Sequence, residues 1–265
     1  MSIIAISRGS FSGGTLVAEG LAQRLGYRVV SREVIGAAAA TYGVDEAKLA
    51  AALEGAPGLW ERFGTERRLN LTLIQSALCD LVEQGAVVYH GHAGHLLLRG
   101  IGHVLRVRLI APLPYRIGAA MEQKALGREA AEEHVRRKDE ERARWTRFLY
   151  GIDWNSPALY DLVVNLEAVS VESACALIQF TAAQQEFQPT PTSRKAMRDL
   201  ALQCRVRAHL CANPEIAGAE IEVTADDGTV ELSGRARGEE AARQAAEVAR
   251  LTPGVQRVRR DRLGA

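Results

Sequence analysis

Over the first 186 positions, short apolar runs alternate with longer stretches whose apolar residues recur every three or four positions. The runs at 2–7, 28–30, 86–89, 104–111 and 162–165 read as strands, and helical patterns fill 14–25, 32–42, 66–84, 114–126, 129–148 and 171–185. Strands alternating with helices predict an α/β domain, a mostly parallel sheet with right-handed crossovers and a ligand site at the carboxyl edge of its strands. The pattern stops at Gln188-Pro189-Thr190-Pro191-Thr192-Ser193, where two prolines within three residues resist both helix and ladder. Residues 188–194 therefore read as a linker between a domain at 1–187 and a second at 195–265. The second carries a helix at 195–211, strands at 220–224 and 230–232, a helix at 239–251 and a last strand at 255–260. Asp226-Asp227-Gly228 between its first two strands is a hairpin signal. The whole reads as a small α+β module.

The first strand-to-helix junction carries the candidate chemistry. Ile3-Ile4-Ala5-Ile6 leads into Arg8-Gly9-Ser10-Phe11-Ser12-Gly13-Gly14-Thr15, and a helical pattern follows. In that context backbone N–H groups and a helix N-terminus cradle a phosphate. Against the template G-x-x-x-x-G-K-[ST], Arg8 takes the first glycine position and Gly13 fits. Gly14 stands where the lysine belongs, and Thr15 keeps the hydroxyl that meets Mg²⁺. The alternative is a tight turn with no ligand.

Composition narrows the partners. The 265 residues are 47% hydrophobic and 25% charged, as expected of a chain with a buried core. A net charge of +1 supplies no global field to recruit nucleic acid or an anionic membrane. No apolar stretch approaches the roughly 18 residues of a membrane span, and no basic segment with a long apolar run marks a secretory signal. Cys79, Cys175, Cys204 and Cys211 lie far apart without a C-x-x-C pair. Free thiols in a reducing compartment, the cytoplasm, are the expectation.

Four blocks stand in order along the first 186 residues. The first is Ile4–Tyr27, with Ser7-Arg8, Ser12-Gly13-Gly14 and Leu21-Ala22-Gln23-Arg24-Leu25-Gly26-Tyr27. The second is Ser31-Arg32-Glu33-Val34-Ile35. The third runs from Gly91-His92-Ala93-Gly94-His95 through Val104-Leu105-Arg106-Val107-Arg108 to Ala111-Pro112-Leu113-Pro114-Tyr115-Arg116. The fourth is Asp139-Glu140-Glu141-Arg142, Asp153-Trp154 and Tyr160-Asp161-Leu162-Val163-Val164-Asn165. Together they resemble the cytidylate kinase-like family, a branch of the P-loop nucleoside monophosphate kinases. In the tail, Asp227-Gly228-Thr229-Val230-Glu231-Leu232-Ser233-Gly234 and Thr252-Pro253-Gly254-Val255-Gln256-Arg257-Val258 are similar to the BON domain.

The resemblance implies a P-loop kinase-like three-layer fold with a helical lid, joined to the BON module. It implies ATP-dependent transfer of a phosphoryl group to a nucleoside monophosphate, with Mg²⁺ held through the nucleotide and Thr15. It also implies that loss of the loop lysine is a family trait. Gly9, Ser10, Phe11, Ser12, Gly13, Gly14 and Thr15 would bind the nucleotide phosphates. Arg8 can stand in for the lysine, the alternative being a surface arginine that caps the turn. Arg137, Asp139 and Arg142 stand where a lid would supply its charges, although i,i+4 pairing on a solvated helix also explains a run of mixed charge. Arg32, Glu33, His92, Tyr160 and Asp161 fall on the acceptor side. Ser31 and His92 replace the family's aspartate and arginine there, so CMP does not follow as the acceptor.

His90, His92 and His95 form an H-x-H-x-x-H cluster. Strand alternation sends His90 and His92 to one face and leaves His95 on the next helix, and no cysteine or carboxylate stands nearby to complete a metal site. Arg257, Arg259, Arg260 and Arg262 form a basic stripe on the last strand, where edge charge opposes aggregation. Two functions follow. One is a nucleoside monophosphate kinase. The other is a catalytically weak nucleotide-binding regulator that docks a protein partner, or another copy, through the BON module.

Overall fold

The computed structural model describes residues 1–54, 64–91, 93–216 and 219–264. The chain gathers into two compact units, Met1–Ser31 with Gln84–Pro189 and Arg32–Glu83 with Thr190–Ala265.

The first unit is built on a five-stranded sheet. Its strands are β1 (Ile3–Arg8), β2 (Arg28–Val30), β3 (Val87–Tyr89), β4 (Val104–Ile110) and β5 (Leu162–Asn165), in the order β2-β3-β1-β4-β5. Every neighbouring pair is parallel. Helix α1 (Gly14–Leu25) packs beside α8 (Val171–Ala182), and Val17, Leu21 and Ile178 meet Ile4, Ile6, Leu105 and Leu109 of the sheet in one core. A parallel sheet covered this way explains why β1 opens with four apolar residues and its first five residues are buried. Four-residue α5 (Gly94–Leu97) follows β3. Helices α6 (Leu113–Lys124) and α7 (Arg128–Tyr150) pair through their own small cluster of Ile117, Ala120, Ala131 and Val135.

The second unit holds α2 (Glu33–Tyr42), α3 (Glu46–Glu54), α4 (Gly64–Val82), α9 (Pro191–Ala212), α10 (Glu239–Leu251) and a sheet of β6 (Glu220–Asp226), β7 (Thr229–Arg235) and β8 (Arg257–Gly264). Asp227 and Gly228 turn β6 into antiparallel β7 with φ of 45° and 79°. Two consecutive positive φ values are what a two-residue Asp-Gly hairpin requires.

Helix α9 begins at Pro191, inside the stretch expected to be a linker and four residues before the expected start at 195. Thr190 is its N-cap, with Thr190 and Ser193 each accepting from the other's backbone N–H, and Pro191 sits where a proline costs no hydrogen bond. The helix carries two apolar stripes. Leu202, Val206 and Leu210 join the core of the small sheet. Met197, Ala201, Cys204 and Ala208 are also buried, on the stripe from which the Cys204 thiol lies 3.9 Å from Cys79 of α4. Arg205 meets Asp80 at 2.6 Å beside that contact. The second stripe is why residues 32–83, which follow β2 in sequence, cluster with the tail. Among the described residues no helix is long and apolar enough to cross a membrane.

Candidate phosphate site

The loop between β1 and α1 closes on itself before the helix starts. Ser12 donates to the Gly9 carbonyl from both its backbone N–H (3.4 Å) and its hydroxyl (3.0 Å). Phe11 takes a left-handed backbone, φ 59°, and its ring packs against the α6–α7 cluster and edge-on to His134 at 5.6 Å. Gly13, φ 78°, is the N-cap of α1, and no side chain caps the helix. The first backbone N–H groups of α1 therefore lack a protein acceptor, and the positive end of the helix dipole is left open.

Arg8 runs directly over Gly14. A Cβ on Gly14 would stand 2.3 Å from the Arg8 Cδ and 2.9 Å from its Cβ. Glycine at position 14 is thus the condition for the arginine's path, and the two departures from the loop template are one arrangement. The Arg8 Nε is buried with no hydrogen-bond partner. Its backbone carbonyl accepts from Arg142 Nη1 of α7 at 2.6 Å.

Further guanidinium groups converge on the same loop. Arg108, in the middle of β4 and only 6% exposed, donates to the Ser7 hydroxyl at 3.3 Å and to Asn155 Oδ1 at 3.1 Å. Its guanidinium lies 3.8 Å from the centre of the Trp154 ring, and that of Arg142 lies 4.8 Å from it. Arg116, from α6, donates to Ser10 O at 3.4 Å and makes two bonds to Asp139 of α7, at 3.0 and 2.7 Å. Its Nε, like that of Arg8, is buried without a partner. Gly9, Arg108, Ile110, Ala111, Arg116, Asp139, Trp154 and Asn155 line a cleft of about 220 Å³.

The electrostatics follow from this convergence. Burial pushes the Arg142 guanidinium down to about 10, with the Arg8 charge next in importance and Arg108 and Arg116 adding to it. Burial also lowers Arg8 and Arg108. Arg8, Arg108, Arg116 and Arg142 thus gather around the loop with Asp139 as the carboxylate bonded among them. Such an excess of buried positive charge costs free energy until an anion arrives.

The sequence-predicted residues divide around this cluster. Arg8, Gly9 and Ser10 meet it directly, as do Asp139 and Arg142. Phe11, Ser12, Gly13 and Gly14 shape the loop, and Thr15 is exposed on the first turn of α1. Arg137 points elsewhere: it is exposed and donates to His134 Nδ1 at 3.3 Å. Residues 137 and 142 are five apart on a helix, so they leave it in different directions. Asp161 is held by Arg106, which donates from its backbone N–H and from two guanidinium nitrogens at 2.5–3.0 Å. Tyr160 lies beneath the loop, donating to the Trp154 carbonyl at 2.7 Å and within 3.3 Å of the Ser7 hydroxyl. Arg32 and Glu33 are exposed at the start of α2 in the second unit, and His92 lies outside the described residues.

Arg108, Arg116, Trp154 and Asn155 were not among the sequence-predicted site residues. Arg108 had a readable signal, a charged residue within the apolar run of a central strand in a parallel sheet. Arg116 and Asn155 had none, since charge and amide groups at helix starts and loops are ordinary.

A model of the cytidylate kinase-like family matches residues 3–168, and one of the BON domain matches residues 198–263. A cytidylate kinase from Ignicoccus hospitalis is 29% identical over 182 residues, covering 68% of this chain and 98% of that protein. The crystal structure of an uncharacterised protein from Eubacterium ventriosum superposes with a TM-score of 0.52 at 19% identity, covering 68% of this chain and 97% of that one, which is a likeness of fold.

Proposed function

We propose that this chain, which belongs to the cytidylate kinase-like family, transfers a phosphoryl group from ATP to a nucleoside monophosphate, with Arg8 in the role of the missing loop lysine. The observation that carries this is the Arg8–Gly14 arrangement within the arginine cluster. A cation is delivered to the loop from the end of β1, and position 14 is emptied to let it pass. A merely degraded loop would have no reason to surround its glycine with an arginine stem.

Phosphoryl transfer asks the protein for position and charge neutralisation more than for covalent chemistry. The residues fit a polyphosphate, because the buried Nε–H groups of Arg8 and Arg116 have no acceptor of their own and the first turn of α1 is uncapped. Those groups and the amides of the Gly9–Thr15 loop would hold the ATP phosphates. Arg142 fixes the loop from α7 through the Arg8 carbonyl, and Asp139 holds Arg116 against Ser10. Among the described residues no three His, Cys, Asp or Glu side chains gather as a metal site. Mg²⁺ would therefore arrive on the phosphates, with Thr15 as its protein contact, and supply Lewis-acid neutralisation there. Trp154 places the centre of its ring 3.8 Å from the Arg108 guanidinium and 4.8 Å from that of Arg142, a cation–π surface that would hold both near the loop.

The test is transfer from labelled ATP with Mg²⁺ to a panel of nucleoside monophosphates, comparing wild type with Arg8→Ala. We expect one preferred acceptor and a fall of about 10³-fold in kcat/KM for the variant, the scale of removing a cation from a phosphoryl-transfer site. ATP binding by calorimetry without transfer to any acceptor would replace the kinase reading with the regulator reading, which the vacant lysine position favours. Absence of both would sink the two together.

A further inference from the structure

The small sheet of the second unit sorts its charge by strand. Side chains at Val223, Val230, Leu232 and Val258 turn inward to the helices. The alternate positions face out, and they are Glu220, Glu222, Thr224 and Asp226 on β6 and Arg257, Arg259 and, past a register shift at the likewise exposed Arg260 and Asp261, Arg262 on β8, all of them exposed. The register arranges them in rows: Asp226, Thr229, Arg257; then Thr224, Glu231, Arg259; then Glu222, Ser233, Arg262. β6 and β8 are also the two edges of the sheet, seven and eight residues long. One edge is acidic and the other is basic.

That sorting decides how another copy can add to the sheet. An edge strand presents a row of backbone groups able to pair with a second chain. β6 against β6 would set carboxylates opposite carboxylates, and β8 against β8 would set arginines opposite arginines, and like charges directly opposed are destabilising. β8 against β6 sets them in attraction. Because β6 runs antiparallel to β7, and β7 parallel to β8, a second copy in the same orientation offers its β6 antiparallel to the first copy's β8. The rows then run on from Arg257 to the next Asp226 and from Arg262 to the next Glu222. Asp226 already meets Lys195 and Arg262 already meets Glu231; Arg259, level with the next Thr224, lies diagonal to the next Asp226 and Glu222, and Glu220 lies diagonal to Arg262 of the neighbouring copy.

We propose that the tail is a self-association module in which the basic β8 edge of one copy extends the sheet of the next at its acidic β6 edge. The joint is heterologous, so it grows past a dimer into a ring or a filament. It does not depend on the phosphotransferase reading.

The experiment is sedimentation velocity of the full chain over a concentration series, at about 20 mM and about 300 mM NaCl, because pairs at an exposed joint are screened by salt. We expect species larger than a dimer at low salt and an apparent affinity about tenfold weaker at high salt. Arg257→Glu with Arg259→Glu makes both edges acidic, and Glu220→Arg with Glu222→Arg makes both basic. Each variant alone should be monomeric, and their mixture should associate again. Thermal unfolding checks each fold, and Arg257→Glu alone, opposite Thr229, is read instead if the double variant unfolds. A chain monomeric under every condition, a salt-insensitive dimer, unchanged association of either variant, or a mixture that stays monomeric would each overturn the proposal.

Discussion

Arg8 and Gly14 are a pair at the level of single atoms, and the pairing makes a sharp prediction. Gly14→Lys restores the lysine of the loop template but places a Cβ 2.3 Å from the Arg8 Cδ. We expect this variant to lose phosphoryl transfer along with folding stability, by about 1–3 kcal/mol as in other overpacked sites. Arg8→Gly in the same chain removes the obstruction, and the double variant should regain stability and more transfer than either single change. If Gly14→Lys alone were fully active in a steady-state assay, the arginine would have no hold on the site. Trp154 is tested separately. Trp154→Phe keeps a face for Arg108 and Arg142, whereas Trp154→Ala removes it, so ATP binding measured by calorimetry should weaken about tenfold for alanine and little for phenylalanine.

At the scale of the element, helix boundaries depended on caps and strands on apolar runs. The five strands of the large sheet fall within a residue or two of the runs that predict them, most clearly the inner β1, β3 and β4, because a strand covered on both faces is largely apolar. Helix α9 shows the opposite case. Pro189 and Pro191 signal a break, yet Pro191 opens the helix as its first residue and Thr190 caps it. Thr190→Ala should cost about 1 kcal/mol in urea denaturation of the second unit, and no change would mean the capping box is incidental. The basic run of α7 also had two readings. Side chains on the outer face pair with their own helix, as Arg136 does with Glu132, while Asp139 and Arg142 turn to the loop. Sequence spacing gives the faces of a helix but not which one meets the loop.

For the whole molecule, a buried histidine predicts a pH dependence. His95 is 4% exposed, and burial pushes its ring down to about 4, with Arg108 and Arg106 adding to the effect. An unfolded histidine titrates near 6.5. Above that pH both states are neutral and the stability is whole. As pH falls from about 6.5 to about 4 the unfolded chain takes up a proton that the folded chain refuses, so stability drops by roughly 3 kcal/mol. Chemical denaturation at pH 7 and pH 4.5 should show this slope, and His95→Gln should flatten it.

The sequence by itself determined the α/β sheet, the loop at the end of its first strand and the small α+β tail with its own sheet, because these rest on periodicity and turn chemistry that operate within a few residues. It also held Arg8 and Gly14, without showing that the side chain of one lies over the other. Only the tertiary structure brought Arg108, Arg116 and Arg142 to that loop from β4, α6 and α7, and only it gave α9 a second stripe to share with α4. Charges and thiols separated by more than a hundred residues meet through chain packing, and, Arg108 apart, no local pattern records which of the chain's many arginines the packing will select.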